Sequence, residues 1–564
     1  MNVQKTRLSD FAPLSPAEER IIAELGHGDF DRLGDGLVPA EPDPTRYVRA
    51  ELLRFILVGG DEASRPHEKG IRVSGGWIGG TLDLEGCRIP HDIRLKDCFL
   101  EAVPNLRSAI IDNLFLDGSV LPGLQADRIE ARGGFHLRGA TITGEMSLSS
   151  SRLGGSFECD SATINCPDQW AIIAEGLTAR SLFLRGATVN GGINIAGARL
   201  GADLDFTGAT ISRPAGVAIH AETLDAGGGV ILRGATVAGE TRLLGARLDG
   251  DLDATGAKLK QPGDFALLVN RATVRGGFFL CKDAAVDGVL DLTGASFDTI
   301  HDDEACWPAK TNLLLNRCLY NAFIGGPVDA VRRLDWLSRQ EPARWGEDFW
   351  PQPFEQLAQV FREMGHDEDA RTVLIAKERL QRRARRQRTS NRLWRQALSV
   401  KDGILGITVG YGRQPLRSFV WLFLFWAIGV GVFGFADAHS ALKPNSPVIL
   451  RSPEWTMCGL PLGEQVFMPA TEQWAKGRAA EGQSQLDCFR SQREALSYQA
   501  FNAWMYSLDT LFPVLEVGQK QFWRPDTTKK WGSLVMAYFY FQAVVGWALS
   551  LLAIAGFSGL VKSK

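Results

Sequence analysis

Leu184–Ile211 reads LRGATVNGGINIAGARLGADLDFTGATI, and the stretch repeats on itself. Gly186-Ala187, Gly197-Ala198 and Gly208-Ala209 stand eleven residues apart. The whole block returns 48 residues later as Gly234-Ala235, Gly245-Ala246 and Gly256-Ala257. Weaker copies lie at Gly139-Ala140 and Ser161-Ala162, and again at Asp283-Ala284 and Gly294-Ala295. Self-similarity at a fixed period marks a repeat architecture.

Within one unit the apolar positions are Leu184, Ala187, Val189, Ile193 and Ile195. Ala187 and Val189 are two apart, as are Ile193 and Ile195, which is strand alternation and not the 3.6-residue period of a helix. Gly and polar residues interrupt the alternation, as corners require. Two units, about 22 residues, predict one coil of a right-handed parallel β-helix. Leu184, Ile195 and Phe206 then stack inside, with Gly186 and Ala187 at corners too tight for a larger side chain. From Gly70 to Phe297 the pattern predicts about ten coils in a rod on the order of 50 Å long. The longer arm of each block, such as Ser212–Val230, is expected to bulge on one side. The repeat resembles pentapeptide-repeat and bactofilin-like β-helices, in which small and apolar residues alternate around a square or triangular coil. A leucine-rich repeat would need a recurring turn Asn and a helical half, and neither is visible.

The fold expected is therefore mainly β: a helical cap (1–66), the repeat (67–300), a junction (301–350), a helical hairpin with a basic juxtamembrane segment (351–413) and a membrane module (414–564). In the cap, Ser15, Pro16 and Glu18 form a capping box with Pro at the first helical position, and Gly26 is a stop. A second helix is expected from Thr45 to Val58, with Tyr47, Leu52, Phe55 and Ile56 covering the open first coil. HDDEAC (301–306) carries metal-ligand residue types, but a polar turn ending the β-helix explains them. Trp336, Trp345 and Trp350 point to a packed junction. Residues 353–388 read as a helical pair broken at Gly365, similar to one tetratricopeptide-type hairpin.

The chain has 564 residues and a net charge of −3, which gives no global basic field for nucleic acid. MNVQKTRLSDF offers no apolar leader, so the repeat is expected to stay cytoplasmic. Seven of the nine Cys fall in this part without a CxxC spacing and read as buried thiols. From Lys377 to Arg395 there are nine Lys or Arg and one acid. This run stands just before an apolar span, so Arg382, Arg383, Arg385, Arg386 and Arg388 read as contacts to anionic lipid headgroups. Spans are expected at 418–436 and 531–561, the latter holding Gln542 and Gly546. The basic run, with Lys562 and Lys564, places both termini in the cytoplasm and residues 437–530 outside. Cys458 and Cys488, alone in that outer loop, are candidates for a disulfide.

Between the spans, YQAFNAWMYSLDTLFPVLEVGQKQFWRPD (498–526) holds an amphipathic stretch too short to cross, expected helical over 499–513 and broken at Pro513. Here the chain resembles two-span potassium-channel-like proteins, in the order span, outer loop, pore helix, loop, span. Tyr506, Ser507, Asp509 and Thr510 stand where that resemblance implies the end of the pore helix. The filter motif Thr-x-Gly-Tyr/Phe-Gly is absent, and Phe512–Glu516 occupies its place, so potassium selectivity is not implied. Asp509, Thr510, Pro513 and Glu516 remain as candidates for a degenerate, non-selective pore in a homo-oligomer. The competing reading is an interfacial anchor helix with Trp504 and Trp523 at headgroup level.

As a whole the chain resembles bacterial membrane proteins often labelled membrane-associated oxidoreductases, which implies a cytoplasmic-membrane location. No residue pattern supports that redox label. The one GxGxxG match, Gly429–Gly434, lies inside a span and reads as a helix-packing face. Asp83, Asp205, Asp253 and Asp291 recur with the coil and read as solvent-facing structure rather than an acid–base pair. No catalytic, cofactor or metal residue is assigned. The expectation is a membrane-anchored scaffold or sensor whose β-helix takes an unidentified protein or small-molecule ligand.

Overall fold

The computed structural model describes residues 6–28, 31–414, 416–468, 472–512 and 514–557. The chain divides into two compact units, residues 1–377 and 378–564.

The first unit is a parallel β-helix. Among the described residues its strands stack into sheets of thirteen, fourteen and eight, so the chain makes about twelve turns. One inward column runs Leu182, Leu204, Val230, Leu252, Phe278 and Ile300, in register from coil to coil. Each of these is at most 2 % exposed. At the corner, Ala187 N–H donates to Leu184 O at 3.1 Å while Gly186 takes φ +64°. A left-handed third residue is what a type II turn needs, and Gly adopts it without a Cβ penalty. In the weaker copies Ser161 and Asp283 occupy the same left-handed region. The coils outrun the glycine pattern. Thr299–Asp302 and Ala322–Phe323 still pair in parallel, because ladder bonds need extended backbone and apolar inward residues, not a Gly-Ala corner.

The 48-residue period has a steric cause. Eleven-residue strands at Thr163–Ile173, Thr210–His220 and Lys258–Leu268 alternate with seven-residue strands at Thr188–Asn194, Thr236–Arg242 and Ala285–Asp291. Each long strand bulges outward at Pro167, Pro214 or Pro262, where a residue without an N–H costs no ladder bond. The bulge is confined to a few residues (Ser212 to Val217 in the middle block) and does not involve the whole arm to Val230. Beneath each bulge lies a glycine of the next coil. A Cβ on Gly191, Gly239 or Gly288 would stand 2.5 Å from a bulge carbonyl and 2.9 Å from Ala171, Ala218 or Ala266. A bulged coil must therefore be followed by a flat one.

Helices close the N-terminal end. In α1 (Pro16–Glu24) the Ser15 and Glu18 capping box is formed on both sides. Glu18 is fully buried and accepts three bonds from Arg49, from its backbone N–H at 2.9 Å, Nε at 2.8 Å and a terminal nitrogen at 2.6 Å. α2 (Ala50–Leu57) begins later than the apolar spacing predicts, because Tyr47–Arg49 is a strand paired with Trp77–Gly79 of the first coil.

At the other end, α3 (Ala330–Ser338) inserts Arg333, which is 0 % exposed. Its guanidinium grips Asp302 at 2.6 and 2.7 Å and lies 3.5 Å from the Phe323 ring centre. Trp307 Nε1 donates to the same carboxylate at 2.7 Å. Asp302 of the HDDEAC stretch is thus held by the cap. α4 (Gln352–Glu363) and α5 (Asp367–Gln387) form the hairpin, with Gly365 left-handed between them.

The second unit contains the end of α5, then α6 (Arg392–Val409) and α7 (Arg417–Ala438). Short helices α8 (Pro447–Leu450), α9 (Pro453–Met457) and α10 (Gln485–Ser491) follow. They precede α11 (Ala503–Leu511), α12 (Gln519–Phe522) and α13 (Gly532–Phe557). Two of these helices are long and apolar enough to cross a membrane, Arg417–Ala438 and Gly532–Ala555.

Gly239→Ala is expected to cost about 3 kcal/mol, from a forbidden φ and a backbone clash together. Gly263→Ala, at φ +79° with nothing within 4 Å of its Cβ, should cost only about 1 kcal/mol. Hydrogen exchange should localise the Gly239 loss to 210–242, because coils contact only their neighbours. Asp31, paired to Val73 at the first coil, supplies a pH test. Burial, aided by Glu24 and opposed by Arg20, pushes its carboxyl up to about 6. A raised acid pKa leaves stability unaffected below the unfolded value near 4 and removes it as pH rises through about 6. Protection at the first coil, taken relative to the intrinsic exchange rate at each pH, should therefore be greater at pH 5 than at pH 8, and Asp31→Asn should remove that difference in protection.

Candidate functional site

In the second unit the short helix α11 sits between α7 and α13. Asn502 starts it, accepting from Trp504 N at 3.0 Å and Met505 N at 3.2 Å, so the helix begins at Ala503 rather than at residue 499. Two glycines make its seat. A Cβ on Gly429 of α7 would stand 2.2 Å from Ser507 Oγ, and one on Gly546 of α13 would stand 1.7 Å from Leu511 O. Small residues let helices approach this closely where hydrocarbon surrounds them. A Cβ on Gly434 would also meet α11, 3.9 Å from Ala503 Cβ, whereas one on Gly431 meets nothing within 4 Å. Gly431 instead lines an apolar groove of about 760 Å³ between α7 and α13.

Polar groups lock the seat. Gln542, fully buried in α13, donates to Ser507 Oγ at 2.9 Å and to Ser507 O at 3.3 Å. Ser507 in turn donates to Trp426 O at 2.8 Å, and Trp426 Nε1 donates to Trp504 O at 3.2 Å. Phe433 meets Tyr506 edge-on at 4.7 Å.

After α11 the chain folds back onto Asp509, which is 1 % exposed. Its carboxylate accepts from Lys520 N at 2.9 Å and Val517 N at 3.3 Å, with Lys520 Nζ 3.5 Å away. Asp509 is thus a turn-closing group neutralised by Lys520. Thr510 Oγ1 donates to Tyr506 O at 2.8 Å inside the helix. Glu516 is exposed. Pro513, Lys562 and Lys564 lie outside the described residues. The residues that build this seat include Ser507, Gln542, Gly429, Gly546 and Lys520. Gln542 and Gly546, one turn apart in the largely apolar helix α13, are the sequence signal for the seat.

Between the two span-length helices, a disulfide joins Cys458 to Cys488 of α10 with Cα atoms 5.4 Å apart. An antiparallel pair, Leu442–Pro444 with Trp523–Pro525, ties the exit of α7 to the entry of α13. Burial raises the Asp526 pKa, but bonds from Thr528 and the Lys443 ammonium at 3.2 Å outweigh it, and the carboxyl lies below its ordinary value.

The arginine run is divided in use. Arg382 and Arg386 both reach the buried carboxylate of Asp402 on α6, Arg382 at 3.0 Å. Arg388 is also engaged. Arg383 and Arg385 carry no ion pair among the described residues.

On the β-helix, a cleft of about 570 Å³ lies over the last coils, its lining including Arg233, Asp253, Phe279, Lys282, His301 and Asp303. Phe279 and His301 stack at 4.0 Å, and Arg233 Nε meets Asp253 at 2.5 Å. The recurring aspartates form no acid–base pair. Each accepts from the N–H two residues on: Asp83 from Glu85, Asp205 from Thr207, Asp253 from Thr255 and Asp291 from Thr293. They brace corners, and Asp253 and Asp291 are buried, at 3 % and 1 % exposed, instead of solvent-facing. Burial pushes the Cys98 thiol up to about 12, far from a reactive thiolate.

Comparison of the chain with protein-family models, with curated proteins and with solved structures returns no match.

Gly429→Val should displace α11, raising hydrogen exchange across 503–511 and lowering the melting temperature by several degrees. Gly431→Val, whose added methyls enter the open groove, should leave both unchanged.

Proposed function

We propose that the protein is a two-pass inner-membrane protein of bacterial type, with both termini cytoplasmic. In this reading a cytoplasmic β-helix acts as scaffold or sensor for a channel-like, homo-oligomeric membrane module. The observation that carries the reading is the short helix α11, too short to cross, seated between two span-length helices through Gly429 and Gly546. Irregular backbone at membrane depth is tolerated only where protein or a water-filled cavity surrounds it. An interfacial anchor helix would present one apolar face to lipid. α11 instead buries Tyr506, Ser507, Asp509, Thr510 and Leu511. The sensor half of the reading draws on the cleft over the last coils, where Arg233, Lys282 and the Phe279–His301 stack supply charge and aromatic surface to a ligand.

Glu516, exposed on the segment after α11, is the residue assigned to tune permeation, and Asp509 is assigned to hold that segment's fold. Purified protein in a planar bilayer should conduct. Glu516→Gln should change the cation-to-anion permeability ratio while leaving the melting temperature alone. Asp509→Asn should lower the melting temperature. A silent bilayer holding folded, oriented protein would leave the two helices as an anchor and overturn the channel-like half.

A further inference from the structure

Where α5 ends and α6 begins, Arg382 and Arg386 converge on Asp402. Beside this clasp lies a groove of about 510 Å³ lined by Arg383, Arg386, Gln387, Arg395, Gln396 and Ser399. The lining holds three guanidinium groups, two amides and a hydroxyl, and no carboxylate. Arg383 and Arg395 have no ion pair among the described residues, and Arg386 is shared with Asp402. Planar guanidinium groups match the oxygens of a phosphate bidentately.

α6 has a second face. Leu393, Val400, Ile404 and Ile407 recur at helical spacing and are 53–76 % exposed. Asp402 points the other way and is buried. Only residues 410–416 separate α6 from the span-length helix α7, so the helix that exposes this stripe is tethered at the membrane surface. An amphipathic helix with a basic side and an apolar side lies in the interface between headgroups and acyl chains.

We propose that the α5–α6 groove binds the phosphate of an anionic lipid headgroup, with the apolar face of α6 in the adjoining bilayer, and that this phosphate competes with Asp402 for Arg386. The proposal rests on α7 being a membrane span. It makes the clasp a lipid-responsive joint: headgroup bound, Arg386 turns to the phosphate; headgroup absent, it returns to Asp402.

The test uses detergent-purified full-length protein and native mass spectrometry with added phosphatidylglycerol or phosphatidylcholine. Phosphatidylglycerol should be retained in preference. Arg383→Gln with Arg395→Gln should weaken it about tenfold or more, while Arg379→Gln with Arg385→Gln, the same charge removed outside the groove, should weaken it by less than about threefold. Asp402→Asn should strengthen it severalfold by freeing Arg386. Equal losses in the two double variants would mean diffuse attraction and overturn the site, as would no preference between the lipids. Inorganic pyrophosphate binding as tightly as the lipid would assign the groove to a soluble phosphate and overturn the lipid. Loss of the protein from proteoliposomes under alkaline wash would overturn the span and the site together. Conduction without headgroup preference would overturn the site alone.

Discussion

Every coil of the β-helix must repeat its backbone path within one strand spacing of the coil before it, about 4.8 Å. That constraint decides most of the chain. Inward positions stack residue on residue, so each must be apolar and of matching bulk, as in the column from Leu182 to Ile300. Corners must turn sharply on one left-handed residue, which is why Gly186, Gly208, Gly234 and Gly256 recur. An outward bulge breaks the stacking, and the only residue that fits beneath it is one without a Cβ. Gly191, Gly239 and Gly288 fill that place, so bulged and flat coils alternate and the sequence repeats at two coils instead of one.

The same constraint leaves a stack with two raw ends, and unpaired strand edges invite pairing with other chains. The two ends are closed by different means. At the N-terminal side, Tyr47–Arg49 joins the ladder before α2 begins, and Arg49 anchors the buried Glu18. At the other side Arg333 is buried against Asp302, Phe323 and Trp307. A buried ion pair gains little over apolar packing, but removing one partner leaves an uncompensated charge and costs about 3–5 kcal/mol. Such a pair fixes where α3 sits more than it adds stability.

The repeat, the coil length and the corner residues were legible because period and residue size are properties of the string. The extent of the coil was not. After Phe297 the corners lose their Gly-Ala signature, yet parallel pairing persists to Phe323, because ladder bonds depend on backbone and not on that signature. Of the recurring aspartates Asp83 is exposed, whereas the burial of Asp253 and Asp291 was hidden for a related reason. Their role is a bond to the N–H two residues on, and at Asp253 and Asp291 neighbouring coils cover it. In the second unit the glycine face of α7 was visible as a packing surface, but its occupant was not. Ser507 lies 78 residues from Gly429, and only the fold brings them together. The Asp509–Lys520 closure was hidden likewise, because it spans a turn whose path no local pattern fixes.

Counting charges overstates what a basic segment offers a membrane. Nine Lys or Arg lie between Lys377 and Arg395. Lys377 is held by Glu355 at 2.9 Å, Arg382 and Arg386 by Asp402, and Arg388 is engaged as well. Among the described residues the other five, Arg379, Arg383, Arg385, Arg392 and Arg395, carry no ion pair. At about 1 kcal/mol per charge near an anionic surface, five such charges would suffice to hold a segment to it, but without shape. Shape enters only where cations converge. Arg383 and Arg395 share a groove with Arg386, and among the described residues Arg386 alone of the three has an ion-pair partner in the protein. A cation with two competing anions would act as a switch, whereas a cation with one is an anchor. What sets Arg386 apart from Arg383 and Arg395 is the carboxylate of Asp402, an acid on the helix that precedes the span-length helix α7.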